Sequence, residues 1–251
     1  MVFIRSFNSV AQFSRPRLTS PFLSETSEGL DTLMALRYYS RMRLLHNFLP
    51  LLLRSPSPRI VSIFAAGQEG RLYPSDLSLR SHYGVINNIS HVAFMTTFFF
   101  EAIVAQNPSI SCEQVFPGLV KTAEFENGLF PNWLKWFFKW IFLPLITPLT
   151  LPVQECGERN LFHSTSAKYP SPRRSDQNSP TMIALSEGFE VATGVDGDRG
   201  SGVYAVDWNG EVFTKSESVY KGWREKGMNE KVWEHTTKAF EVIQRGDVFL
   251  E

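Results

Sequence analysis

Two apolar runs, each closing on small residues, limit what this chain can fold into. The first is Arg59-Ile60-Val61-Ser62-Ile63-Phe64-Ala65-Ala66-Gly67, and the second, Ile110–Phe116, closes on Pro117-Gly118. A strand that is apolar on both faces lies between two layers, as in a parallel sheet, and its carboxyl end is where ligand loops form. Between the runs a helical apolar pattern extends from about Tyr83 to Gln106 and stops before Asn107-Pro108. Parallel neighbours need such a crossover, so strand, helix and strand make one βαβ unit. The expected class is α/β, a parallel sheet with helices on both faces.

The rest of the pattern agrees with one domain, for which 251 residues supply a sufficient core. Ser27 is a candidate N-cap, and leucines and methionines recur helically from Leu30 to Leu53, with Pro50 expected to kink or end that helix early. Ser55-Pro56-Ser57-Pro58 is a turn, Gly67–Arg80 a polar loop, and residues 170–180 another loop. Val203–Phe213 reads as strand, Asn209-Gly210 turn and strand, and Asn229–Gln244 as a closing helix. Asp196-Gly197-Asp198-Arg199-Gly200 reads as a glycine-rich turn, because the later acidic ligands of a calcium loop are missing; no metal site is expected. Lys and Arg together number 25, as do Asp and Glu, so no nucleic-acid partner is implied. Two cysteines, Cys112 and Cys156, are too few for a disulfide framework and fit a reducing, cytoplasmic setting. Residues 1–24 hold three arginines, five serines and no acid. That composition reads as an unordered start, with a mitochondrial leader as the alternative.

Several words, in order, resemble one family. They are Glu28-Gly29-Leu30-Asp31, the Arg59–Gly67 run, Pro117-Gly118-Leu119-Val120-Lys121-Thr122, Glu155-Cys156-Gly157-Glu158-Arg159-Asn160-Leu161-Phe162, Gly200-Ser201-Gly202-Val203-Tyr204 and Glu230-Lys231-Val232-Trp233-Glu234-His235. Together they resemble the short-chain dehydrogenase/reductase (SDR) family over residues 25–251, in a fungal branch near retinol dehydrogenases. The resemblance implies a Rossmann-like sheet, NADP or NAD as cofactor, and a small lipophilic substrate, with fungal members often serving secondary metabolism. It also implies that the first strand delivers a serine and the following helix a Tyr-x-x-x-Lys pair. By the same resemblance Pro117 and Gly118 touch the nicotinamide, Thr122 its carboxamide or a phosphate, and residues 130–153 form a lid.

That last segment is a dense aromatic run, Trp133, Leu134, Trp136, Phe137, Trp140, Ile141, Phe142 and Leu143, cut by Lys135 and Lys139 and then by prolines. It is shorter than the ~20 apolar residues a membrane crossing needs. A lid over an apolar pocket and a peripheral membrane contact through residues 133–143 both fit its layout.

The chain departs from the family at the points where chemistry is done. Before Gly67 there is one glycine, Gly29, so the glycine-rich turn that cradles a pyrophosphate, with its first βαβ unit, is missing. Ala65 or Phe64 stands where the serine belongs, Ser62 lying on the strand body. The first lysine anywhere is Lys121; Tyr83 and Asn87 reproduce the tyrosine–lysine spacing with an uncharged amide in place of the ammonium. Anchoring instead on Met95-Thr96-Thr97 leaves no tyrosine in the pair. The family's relay asparagine corresponds to Arg37 or Tyr38. His91 adds a titratable group on the same helix, a packed residue or an acid–base.

Two readings follow. The chain is an NAD(P)(H)-dependent oxidoreductase of a lipophilic substrate, or a non-catalytic remnant of one that binds a partner or an apolar ligand. A partial sheet exposes an edge, so the second reading expects a homo-oligomer, a partner protein, or cover from residues 1–25.

Overall fold

The computed structural model describes residues 2–4, 25–118, 151–173, 185, 187–213 and 216–251. Thr122 and nearly all of the 130–153 segment lie outside the described residues. The described strands are β1 (Val2–Ile4), β2 (Arg59–Ile63), β3 (Ser111–Val115) and β4 (Val203–Val206). They form one sheet in the order β1-β2-β3-β4, every pair parallel. Of residues 1–24, only Val2–Ile4 are described, and they pair along β2 from Val2↔Ile60 to Ile4↔Ser62.

Helices cover the sheet. A continuous helical run, α1, consists of Thr32–Met34, a π-helical turn at Ala35–Tyr39, and Ser40–Leu52. Asp31 caps it, its carboxylate accepting the Met34 N–H at 2.9 Å. The crossover helix α2 (Val85–Gln106) joins β2 to β3. Then come α3 (Val153–Thr165), α4 (Ser216–Arg224) and α5 (Met228–Gln244).

Alternation along the strands sends side chains to two layers. Ile60, Cys112, Val203 and Ala205 face a large core built with Met34, Tyr38, Phe94, Phe98 and Phe240 from the helices. Val61, Val115, Tyr204 and Val206 face a smaller cluster with Tyr169. By length and composition α2 could cross a membrane, but 78% of its apolar window is buried inside the protein, as befits a core helix. It packs on α5, where Phe99 and Trp233 stack at 4.9 Å.

Two expectations change in detail, and one helix was not foreseen. Pro50 does not stop α1 early: the helix continues two residues past it to Leu52, with the one bond that Pro50 cannot make to the carbonyl four residues back forgone. The chain after β4 turns back at Asn209-Gly210 but pairs only through a single Val206↔Val212 bridge, not a second strand. The segment 216–224 is helical, with Glu217 in its first turn and Lys221 and Arg224 in its last, charges that complement the helix dipole.

The loop after β2 is tightly held. Gly67 has φ +75°, and a Cβ there would meet the Phe213 ring at 2.4 Å, so no side chain fits. Ala65 takes a left-handed φ of 55° that costs an L-residue about 1–2 kcal/mol. Gln114 Nε2 donates to the Phe64 carbonyl at 3.1 Å, and Tyr220 donates its hydroxyl to Glu69 at 2.6 Å.

Candidate functional site

All strands end on one side, and the loops and helix starts there form the candidate site. On the α1/α2 face, α1 brings Arg37 and Arg41 over the carboxyl end of β2. Arg37 leaves from within the π-turn, a distortion that is frequent at functional sites. Its Nη1 donates to Asn88 Oδ1 at 2.9 Å, and Arg41 Nη1 donates to the Ile63 carbonyl at 3.3 Å. Both guanidiniums lie against the Phe64 ring, at 5.4 and 5.2 Å from its centroid. Burial holds both below the ordinary arginine value, Arg41 down to about 10 with Arg37 adding to the effect. Asn88, in the first turn of α2, is fully buried, and its Nδ2 has no hydrogen-bond partner.

Tyr83 lies half-buried just before α2. Burial and then the Asp31 charge push its phenol up, and Arg37 offsets this in part. A guanidinium from α1 therefore stands near this tyrosine, although the chain has no lysine to offer there. Asn87 turns the other way, donating from Nδ2 to the His82 carbonyl at 2.8 Å. His91 is fully buried; its Nε2 accepts the Tyr73 N–H at 2.9 Å, and its ring stacks on Tyr73. Burial drives its pKa down to about 4, the Asp76 charge and the Leu77 carbonyl opposing and His82 adding to it. At neutral pH this imidazole is uncharged and already committed to the backbone.

Pro117 and Gly118 follow β3 on the opposite face. Gly118 has φ +72°, and a Cβ would stand 3.0 Å from Trp208 Cβ and 3.1 Å from Leu151 Cδ1. A cleft beside them, about 210 Å³ including space open to solvent, is walled by Phe116, Pro117, Cys156, Asn160, His163 and Trp208 among others; Tyr83, Asn87 and His91 do not line it. Behind its wall lies a buried ionic group. The Glu113 carboxylate, fully buried in β3, meets Arg59 Nη1 at 3.2 Å and His163 Nδ1 at 3.1 Å. Arg59 donates also to the carbonyls of His163 at 2.6 Å and Tyr169 at 3.0 Å. Burial pushes the Glu113 carboxyl up, and His163 and Arg59 pull it back in part.

Oxidoreductase AN1596 of Emericella nidulans is 38% identical over 213 residues, 85% of this chain and 62% of that protein. Oxidoreductase andH of Emericella variicolor is 32% identical over 222 residues, 87% of this chain and 63% of the relative. The short-chain dehydrogenase/reductase SAT2 of Stachybotrys chartarum is 27% identical over 231 residues, 88% of this chain and 61% of the relative. The chain is of SDR descent. It spans less than two thirds of the length of these relatives. No family model matches it. Among solved structures, the KRED1-Pglu enzyme covers 69% of this chain and 64% of its own at 13% identity and a TM-score of 0.36, too loose a likeness to position any residue.

Descent raises the question of whether these residues fit a nicotinamide nucleotide. Among the described residues the one strand ahead of α1 is Val2–Ile4, and no glycine occurs in the sequence between it and Gly29. Gly29 itself, at φ +82°, is packed against the Phe249 carbonyl, where a Cβ would stand at 2.5 Å. The described SDR residues thus hold no glycine cradle for a pyrophosphate. The turn at Pro117-Gly118 is present, at the carboxyl edge. Sequence reasoning named Tyr83, the Arg37 position and Phe64 as an alternative at the serine position, but missed Arg41 and Asn88 and the convergence of these residues from three separate elements. It also missed Arg59 and Glu113, for which a signal existed: a charge inside each of two otherwise buried strands.

Proposed function

We propose that the chain is an SDR-type oxidoreductase, acting with NADP(H) or NAD(H) on the carbonyl or alcohol of a small lipophilic molecule. The observation that carries this reading is the relation to fungal oxidoreductases over 85% of the chain. The half-buried Tyr83 beside Arg37 supports it. The phenol keeps its proton at neutral pH, the state that can donate to a carbonyl oxygen, while burial makes it a weaker acid than a free tyrosine. Arg37 would lower the cost of the phenolate left behind.

The test is a titration of the purified chain with NADPH and NADH, followed by turnover of aromatic ketones. Micromolar nucleotide binding and turnover that falls on the order of 100-fold in Tyr83→Phe are expected, in line with the loss of a general acid. Turnover unchanged in Tyr83→Phe would remove Tyr83 from the chemistry. No binding at millimolar nucleotide would sink the redox reading for this chain.

The second reading, a non-catalytic binding protein, is favoured by Ala65 at the serine position and by Asn87 where the lysine would follow Tyr83. A partner or second copy would suit the apolar stripe of α1, where Leu36, Leu44, Phe48 and Leu51 are each 39% exposed or more among the described residues. Sedimentation of the native chain and of a Phe48→Glu, Leu51→Glu double variant checks this. A native oligomer that dissociates in the variant is expected; a native monomer would refute it.

A further inference from the structure

We propose that the carboxyl end of β2 is a binding site for an oxyanion, a carboxylate or phosphate group held between the Arg37 and Arg41 guanidiniums. Two cations share one aromatic ring there, and among the described residues neither is paired with a carboxylate. Arg41 is only 6% exposed, yet among the described residues its one hydrogen bond is a 3.3 Å contact to the Ile63 carbonyl. A guanidinium is a fork of several N–H donors, so most of its hydrogen-bonding capacity is unspent. Burying two like charges side by side is costly unless an anion lies between them.

Two further groups have the same polarity. The Asn88 Nδ2 is a fully buried donor with no partner, next to the Oδ1 that Arg37 engages. Asn88 lies in the first turn of α2, whose amino end has no side-chain cap and carries the positive end of a 22-residue helix. Among the described residues the opposing groups are few. Asp31 and the Tyr83 phenol act on Arg37 through space. The residues ahead of Glu25 include no acid, so that part of the chain has no carboxylate to supply. Paired guanidiniums match the two-oxygen edge of a carboxylate or phosphate.

The oxyanion has two sources, a nucleotide phosphate or the carboxylate of an apolar acid beside Phe64. Calorimetric titration of the full chain with inorganic phosphate, NADPH and decanoate, and with decanol as the uncharged control, separates them. At least one oxyanion should bind saturably, at least 10-fold more weakly in Arg37→Met and in Arg41→Met, and more weakly as salt is raised. Phosphate and NADPH binding identify the first source, decanoate alone the second. If Arg41→Met does not fold, Arg37→Met, at a half-buried position, still decides. No saturable oxyanion binding, or affinities unchanged in Arg37→Met, overturns the proposal. The redox reading fails separately. NADPH bound equally well by Arg37→Met overturns the oxyanion site and leaves the redox reading standing. Decanoate bound through Arg37, with no nucleotide binding, supports the site and sinks that reading.

Discussion

Glu113→Ala is expected to lower the stability of the chain by about 3–5 kcal/mol at neutral pH, the cost of breaking a buried ion pair from one side. The carboxylate is fully buried, and its loss leaves the Arg59 guanidinium in the interior, beside the carbonyls of His163 and Tyr169 but without the carboxylate that balances its charge. It also releases His163 Nδ1, on α3, from the centre of the sheet. Glu113→Gln keeps an acceptor of the same shape and is expected to lose less. Replacing both charges at once, Arg59→Met with Glu113→Leu, should recover much of the loss, since the desolvation cost of both ions goes with them. Urea unfolding with a constant slope reads all of these as shifts of midpoint. A Glu113→Ala loss under about 1 kcal/mol would mean that water reaches Arg59 and that the group is not sealed. The network's consequence for function is positional: it fixes α3, and with it Cys156, Asn160 and His163 in the wall of the cleft beside Pro117-Gly118.

How much of this was legible depends on how far apart in sequence the interacting residues lie. β2 and β3 were readable because they are buried along nearly their whole length and each ends at small or turn-forming residues, even though Arg59 and Ser62 interrupt the one and Ser111, Glu113 and Gln114 the other. The crossover helix was readable from its length and from Asn107-Pro108. The π-turn at Ala35–Tyr39 was not, because widening one turn of a helix barely disturbs its apolar period over five residues. The short arm after β4 misled because Asn209-Gly210 signals a hairpin regardless of how many residues then pair. In the site, the Tyr83–Asn87 spacing was local and visible. The convergence of Arg37, Arg41, Phe64 and Asn88 was not, since it needs α1, the end of β2 and the start of α2 to be placed against one another. Lysine was the cation sought beside the tyrosine, so its absence from the first 120 residues hid the arginine that the fold brings there.

Acid should weaken the fold through its buried histidines, and His91 gives the sharper test. Its imidazole titrates near 6.5 when unfolded and near 4 when folded, because burial disfavours the cation. Above pH 6.5 both states are neutral and its contribution is complete. As pH falls from 6.5 to 4, the unfolded chain takes up a proton that the folded chain refuses, and stability drops by about 3 kcal/mol before levelling off. His235, bonded to Tyr39 Oη at 2.7 Å and also lowered to about 4 by burial, acts in the same sense. The buried carboxyls of Glu69, Glu101 and Glu113 are raised by burial and act oppositely, contributing most in acid and less as pH rises. A raw stability curve therefore mixes both signs, and the difference between the native chain and His91→Gln isolates one residue. Glutamine can still accept the Tyr73 N–H, so the two chains should differ by a constant above pH 6.5. Below it the native chain should fall away from the variant by about 3 kcal/mol. Parallel curves would mean that His91 takes its proton in the folded state, which requires water at the middle of α2 and would return it to the groups able to act as an acid near neutral pH.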